Sequence, residues 1–187
     1  MLQQNTIKSD GKFVGFHQDV AYWGINPPQA VTVWMAMDKI TLENGPMMYI
    51  PKSHRNGIYK HQIDDKHNNI LFDGQEIPHN SFDVDNAVPM ILNPGEISIH
   101  CGQLIHGSSP NLSDNQRRCG FAITYIDLET KILESNNYET DIKEWRTPRL
   151  ICGQPKTDQY YYPYPTFIDN PNMIEPASWK LREWFPQ

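Results

Sequence analysis

Phe16-His17-Gln18-Asp19 closes a short apolar run that begins at Lys12. A strand presents residues i and i+2 on one face, or hands the second to the loop that follows. Either way an imidazole and a carboxylate reach one point. Such a pair is two-thirds of a metal site. The missing donor is expected far along the chain, at the end of another strand. His106, in Leu104-Ile105-His106-Gly107-Ser108, fits that place. Two histidines and one carboxylate on one face of a metal leave the opposite face open, the arrangement of non-haem iron oxygenases.

Working outward, the turns and strands suit a compact β domain. Ala30 to Met37 is the strongest strand, β-branched and aromatic at its front, and its two apolar faces predict cover on both sides. Met47 to Pro51, Glu96 to His100 and Arg118 to Asp127 read as further strands. One or two short strands are expected between Phe82 and Leu92. Asp10-Gly11, Asn44-Gly45-Pro46 and Pro94-Gly95 are turns. Many short strands with Gly/Pro turns predict a sandwich or barrel. Lys52 to Asn80 is polar and irregular, the kind of long loop that usually carries function. After Leu128 the pattern weakens. Tyr160 to Pro165 reads as a strap outside the barrel, because its prolines exclude a central strand. Pro176 to Phe185 reads as a short helix. The expectation is a single domain over 1–187, with 128–187 peripheral.

With 187 residues, 39% hydrophobic and 20% charged, the chain has the balance of an ordinary globular protein. A net charge of −6 argues against a nucleic-acid binder, which usually shows a basic face. No apolar run approaches the roughly 20 residues of a membrane span. Cys101, Cys119 and Cys152 are odd in number and form no Cys-x-x-Cys pair. That disfavours a disulfide framework or zinc knuckle and suits a reducing cytoplasm.

Read in order, several pieces resemble one family. They are His17-Gln18-Asp19, Tyr22-Trp23, Ala30-Val31-Thr32-Val33-Trp34, Glu43-Asn44-Gly45-Pro46 and Ile50-Pro51-Lys52-Ser53-His54. His106-Gly107-Ser108-Ser109-Pro110-Asn111 and Arg117-Arg118 complete the set. Together, over about residues 5 to 127, they resemble the phytanoyl-CoA dioxygenase family of Fe(II)/2-oxoglutarate oxygenases. The resemblance implies an all-β double-stranded β-helix, a jelly-roll with minor helices and a long irregular C-terminal segment. It implies that His17, Asp19 and His106 hold Fe(II), and that 2-oxoglutarate and O2 are consumed as a small-molecule C–H bond is hydroxylated. Succinate and CO2 leave. Related halogenases lack the carboxylate, so Asp19 argues for oxidation rather than halogenation.

In the family an arginine one strand-turn after the second histidine binds the far carboxylate of 2-oxoglutarate. Arg117 has that spacing, and Arg118 beside it is the competitor on the opposite face. Ser108 is implied to donate to the same carboxylate, or is a turn serine. Trp34 is implied to line the cosubstrate pocket, or simply fills the core. Gln4, Thr6 or Lys8 is expected to help hold the cosubstrate. Tyr22 and Trp23 either wall the substrate pocket or pack beneath the loop. His54 reads as structural, and His61 and His67 either touch substrate or are exposed loop residues, the latter preferred; His79 and His100 carry no assignment. Relatives carry a substantial segment before the His-x-Asp strand, whereas only 16 residues precede His17 here. The chain therefore reads as an N-terminally truncated member. The alternatives are a cupin-type metal enzyme that ignores 2-oxoglutarate, and a non-catalytic barrel.

Overall fold

The computed structural model describes residues 2–5, 11–63, 68–71, 74–133, 148 and 150–153, with 2–5 described by backbone alone. The chain divides into Met1–Asn137 and Tyr138–Gln187. All that follows concerns the first unit. The strap expected at 160–165 and the helix expected at 176–185 lie outside the described residues, as do Thr6, Lys8 and His67.

The strands in chain order are β1 (Leu2–Asn5), β2 (Val14–His17), β3 (Ile25–Asn26), β4 (Ala30–Ala36), β5 (Met47–Tyr49) and β6 (Gln62–Ile63). They continue as β7 (Gln75–Glu76), β8 (Val88–Met90), β9 (Ile97–Cys101), β10 (His106–Ser108), β11 (Arg118–Ile126) and β12 (Lys131–Ile132). Two four-stranded antiparallel sheets form, ordered β1-β11-β4-β9 and β2-β10-β5-β8. Two sheets packed in this way make the double-stranded β-helix that the turn-rich strand pattern implies.

Period-two alternation decides what each sheet buries. In β4, Ala30, Thr32, Trp34 and Ala36 are buried while Val31 is 43% exposed. Trp34, Ala36, Ile40, Met47 and Tyr49 form a core cluster, drawn from β4, the turn after it and β5 of the other sheet. The outer face of the first sheet carries Val31, Ile97, Ile99, Ile123 and Tyr125, all well exposed. The expectation that β4 is covered on both sides is therefore corrected among the described residues. Its apolar outer positions reflect strand propensity on a half-buried surface rather than double burial.

β2 and β10 meet at a bulge. His17 pairs with His106, but Val14 pairs with Ser108, so two residues of β2 oppose Gly107 alone. A bulge re-aims the side chains beyond it. Here it lets Val14 and His17, three apart, both turn into the buried face.

Gly120 of β11 shows how tightly the sheet is filled. A Cβ there would fall on Cζ2 and Cε2 of the Trp34 indole. Gly120→Ala should therefore push Trp34 off its seat and destabilise the fold by about 1–3 kcal/mol. Urea unfolding checks this; an unchanged midpoint would contradict it.

Candidate active site

The site lies between the two sheets, where β2 ends and β10 begins. His17 is the last residue of β2, His106 the first of β10, and their register pairs them. Asp19 leaves the strand and starts a short 3-10 turn, Asp19–Ala21. The Val20 backbone N–H donates to the Gly102 carbonyl, 3.2 Å away, and fixes that turn. Gln18 points elsewhere and is fully buried. Its Nε2 donates to the carbonyls of Gly57 (2.9 Å) and Gln103 (2.7 Å), and its Oε1 accepts from the Tyr59 N–H (2.7 Å). The residue between the two donors thus anchors both flanking loops.

His17 Nδ1 lies 2.8 Å from the Gly15 carbonyl, and His106 Nδ1 lies 2.9 Å from the Leu104 carbonyl. A carbonyl only accepts, so both Nδ1 atoms carry the proton and both Nε2 lone pairs are free. These lone pairs converge on Asp19 Oδ1, at 3.4 Å from His17 and 3.7 Å from His106. Ligand atoms of the three residues lie within 4.8 Å of one another. Three lone-pair donors facing one point repel each other unless a cation sits among them. Burial pushes the His106 imidazole down to about 3, so it stays neutral. Burial pushes the Asp19 carboxyl up, but the imidazoles of His106, His100 and His17 outweigh it and hold it well below the usual carboxylate range. Neutral imidazole and ionised carboxylate are the forms that bind metal. The residues fit a divalent cation.

The arginines fall the other way round from the sequence expectation. Arg117 points outward, half-exposed, and forks onto Asp38, with Nε to Oδ2 at 2.9 Å and Nη2 to Oδ1 at 2.8 Å. Arg118 points inward and has no exposed surface. The reason is parity: Arg118 shares the face of Gly120 and Ala122, which lie opposite Ala36 and Trp34. Asn44 helps set that register, its Nδ2 donating to the Arg117 carbonyl at 3.2 Å. The family spacing favours Arg117, but the structure turns Arg117 out to Asp38 and brings Arg118 inside.

Arg118 Nη2 donates to Ser108 Oγ at 3.1 Å, while its Nε and Nη1 are buried without a hydrogen-bond partner. Ser108 is buried on β10, not in a turn, and its oxygen also accepts from the Val14 N–H at 3.3 Å. Its own proton remains to donate. Trp34 is 1% exposed, and its indole Nε1 is likewise buried without a partner. Burial lowers the Arg118 guanidinium to about 10, which leaves it charged at neutral pH. A buried guanidinium costs several kcal/mol unless an anion answers it. The orphaned donors of Arg118, with the Ser108 hydroxyl beside them, fit a carboxylate. Ser108 lies two strand residues from His106, roughly 7 Å along β10.

Three residues escaped the sequence reading. Gln18 is one. His61 is the second, and the expectation of an exposed loop residue is corrected. It is partly buried, and the Gln18 backbone N–H donates to its Nε2 at 3.1 Å while its Nδ1–H donates to the Tyr59 carbonyl at 3.0 Å. The Tyr22 ring meets it edge-on at 4.9 Å and stands 6.2 Å from the His17 ring. Trp23 packs instead against Val20, Ile25 and Ala30. His100 is the third residue, buried on β9 beside Asp19. His54 is partly buried within the 3-10 turn Ser53–Asn56, and His79 meets Phe16 edge-on at 5.9 Å. Gln4 lies on β1 opposite Cys119, and its side chain is not described.

Burial holds His61 down at about 4. An unfolded histidine titrates near 6.5, so between about 4 and 6.5 the unfolded chain binds the extra proton. Stability from this group is complete above that window and falls as pH drops through it. His61→Gln should make the acid decline of the melting temperature shallower between pH 6.5 and 4. Melts across that range check it; parallel profiles would contradict it.

Comparison with known proteins gives the family. A model of the phytanoyl-CoA dioxygenase family matches residues 1–119. Phytanoyl-CoA dioxygenase 1 of Oryza sativa subsp. japonica is 33% identical over 139 residues, covering 74% of this chain and 45% of its own. The apo structure of ThoJ, a non-heme monooxygenase, is 26% identical with a TM-score of 0.63, covering 87% of this chain and 54% of its own. EvdO2 from Micromonospora carbonacea var. aurantiaca, in complex with 2-oxoglutarate, is 26% identical with a TM-score of 0.53. It covers 66% of this chain and 51% of its own. The chain spans about half the length of the curated relatives it matches. No helix among the described residues is long and apolar enough to cross a membrane. With a family match that spans His17, Asp19, His106 and Arg118, the chain belongs to the phytanoyl-CoA dioxygenase family.

Proposed function

We propose that this protein is an Fe(II)- and 2-oxoglutarate-dependent dioxygenase that hydroxylates a C–H bond of a small molecule. The observation that carries the reading is a buried, partly satisfied Arg118 hydrogen-bonded to Ser108 of the strand that begins at His106, one member of a convergent His/Asp/His cluster. His17, Asp19 and His106 would hold the iron. Arg118 and Ser108 would hold the far carboxylate of 2-oxoglutarate, with Trp34 as the wall beside it. Bound iron and keto acid supply the chemistry: O2 is split between CO2-releasing decarboxylation to succinate and a hydroxyl left on the substrate.

The protein's part is placement. The two Nδ1–H bonds to Gly15 and Leu104 fix both imidazole tautomers. The buried guanidinium supplies a permanent charge in a forked geometry that lysine lacks. The retained Asp19 carboxylate favours hydroxylation or a related oxidation over halogenation. The 2-oxoglutarate complex of EvdO2, at 26% identity, supports the cosubstrate. The test is succinate formation from 2-oxoglutarate by the Fe(II)-loaded protein under air, followed with and without a panel of small-molecule substrates. Succinate that depends on both iron and protein is expected. Bound iron with no succinate under any condition would overturn the reading.

A further inference from the structure

We propose that His100 orients the Asp19 carboxylate, so that one oxygen faces the metal and the other is held by the sheet. This inference rests on the iron site proposed above. The two oxygens of Asp19 have different surroundings. Oδ1 faces His17 Nε2 and His106 Nε2. Oδ2 faces the first sheet: it accepts from Thr32 Oγ1 at 3.2 Å and lies 3.7 Å from His100 Nε2.

His100 is 5% exposed, on the inner face of β9 opposite Thr32. Its Nδ1 lies 3.0 Å from the Tyr49 hydroxyl, which lies 2.8 Å from Ser98 Oγ. Its Nε2 is buried with no hydrogen-bond partner. A buried ring nitrogen left unpaired is costly, and the acceptor in front of it is Asp19 Oδ2. One proton arrangement satisfies every group. Ser98 donates to the Tyr49 oxygen, Tyr49 donates to His100 Nδ1, and Nε2–H then points at Asp19. A slight turn of the carboxylate closes the 3.7 Å gap to hydrogen-bond length. A second relay reaches the same oxygen, since Thr124 Oγ1 lies 3.1 Å from Thr32 Oγ1.

His100 is thus a positioning residue and not a fourth ligand. Among the described residues, the donor atoms within 4.8 Å of one another belong to His17, Asp19 and His106. With Oδ2 held, Asp19 offers the metal one oxygen and leaves a coordination position for other groups. Partners of this kind are worth 10- to 100-fold in metal affinity.

The test measures Fe(II) affinity anaerobically, by competition with a chromogenic chelator, in the full chain. It compares wild type with His100→Phe, His100→Gln and Tyr49→Phe, alongside melting temperatures of the metal-free proteins. His100→Phe keeps the ring volume but loses the donor, and should bind Fe(II) about 10- to 100-fold more weakly. His100→Gln restores an N–H near the Nε2 position and should recover most of that loss. Tyr49→Phe frees the tautomer and should fall between them. Wild-type affinity in His100→Phe would overturn the inference and leave the iron site standing. So would equal loss in the Phe and Gln variants, the pattern of a ligand or a packing residue. Failure of the wild type to bind Fe(II) would instead overturn the proposed function, and this inference with it.

Discussion

Arg118→Met should leave a folded protein that no longer binds 2-oxoglutarate. Arg118 has no exposed surface, and its Nε and Nη1 have no partner. In the metal-free protein that charge is a burden, because its desolvation is answered only by the Ser108 hydroxyl. An apolar side chain of similar length removes the burden, so the variant should be at least as stable as wild type. The cosubstrate complex is the opposite case. Truncating one partner of a buried, hydrogen-bonded charge pair costs about 2–5 kcal/mol, roughly 30-fold to several thousand-fold in affinity. Arg118→Lys should rescue little, since a point charge cannot fork. Arg117→Met is the control: its guanidinium is exposed and already engaged by Asp38, so cosubstrate affinity should not change. Calorimetric titration of 2-oxoglutarate into Ni(II)-loaded protein separates the two. Loss of binding in the Arg117 variant with retention in the Arg118 variant would reverse the assignment.

His106→Ala should abolish specific metal binding, lowering affinity by more than roughly 100-fold, beyond the cost of losing an outer-shell partner. The imidazole does three things that alanine cannot. Its Nδ1–H bond to Leu104 fixes the ring, its Nε2 faces Asp19, and burial keeps it neutral. A ligand that binds only the folded state at 100 times its dissociation constant stabilises by about 2.7 kcal/mol. Added Fe(II) under argon should therefore raise the wild-type melting temperature by several degrees and leave His106→Ala where it was. An equal rise in both proteins would place the metal elsewhere.

What the sequence disclosed and what it hid follow from the range of the interactions. His17-Gln18-Asp19 is local: the donors are two apart, and their convergence follows from strand geometry and a tight turn. His106 was expected to close a strand from Leu104, whereas it opens β10; the partner of His17 was found, but at the opposite end of its strand. The choice between Arg117 and Arg118 depends on strand parity, and one residue of register exchanges the faces. That register is set by contacts such as Asn44 to the Arg117 carbonyl, 73 positions apart, which leave no mark beside the arginines. The bulge between β2 and β10 is invisible for the same reason. His100 looked like one histidine of several because Tyr49, Ser98 and Asp19 come together only when the sheets pack. His61 resembled a surface residue because its loop is polar, yet the loop folds back onto Gln18.

The most direct measurement is an anaerobic titration of metal-free protein, first with Fe(II) and then with 2-oxoglutarate, followed in the visible spectrum. A metal-to-ligand charge-transfer band requires the keto acid to chelate iron held by the protein. The band should appear in wild type and Arg117→Met, fail at the iron step in His106→Ala, and fail at the keto-acid step in Arg118→Met. Iron bound by wild type with no band at saturating 2-oxoglutarate would contradict the account.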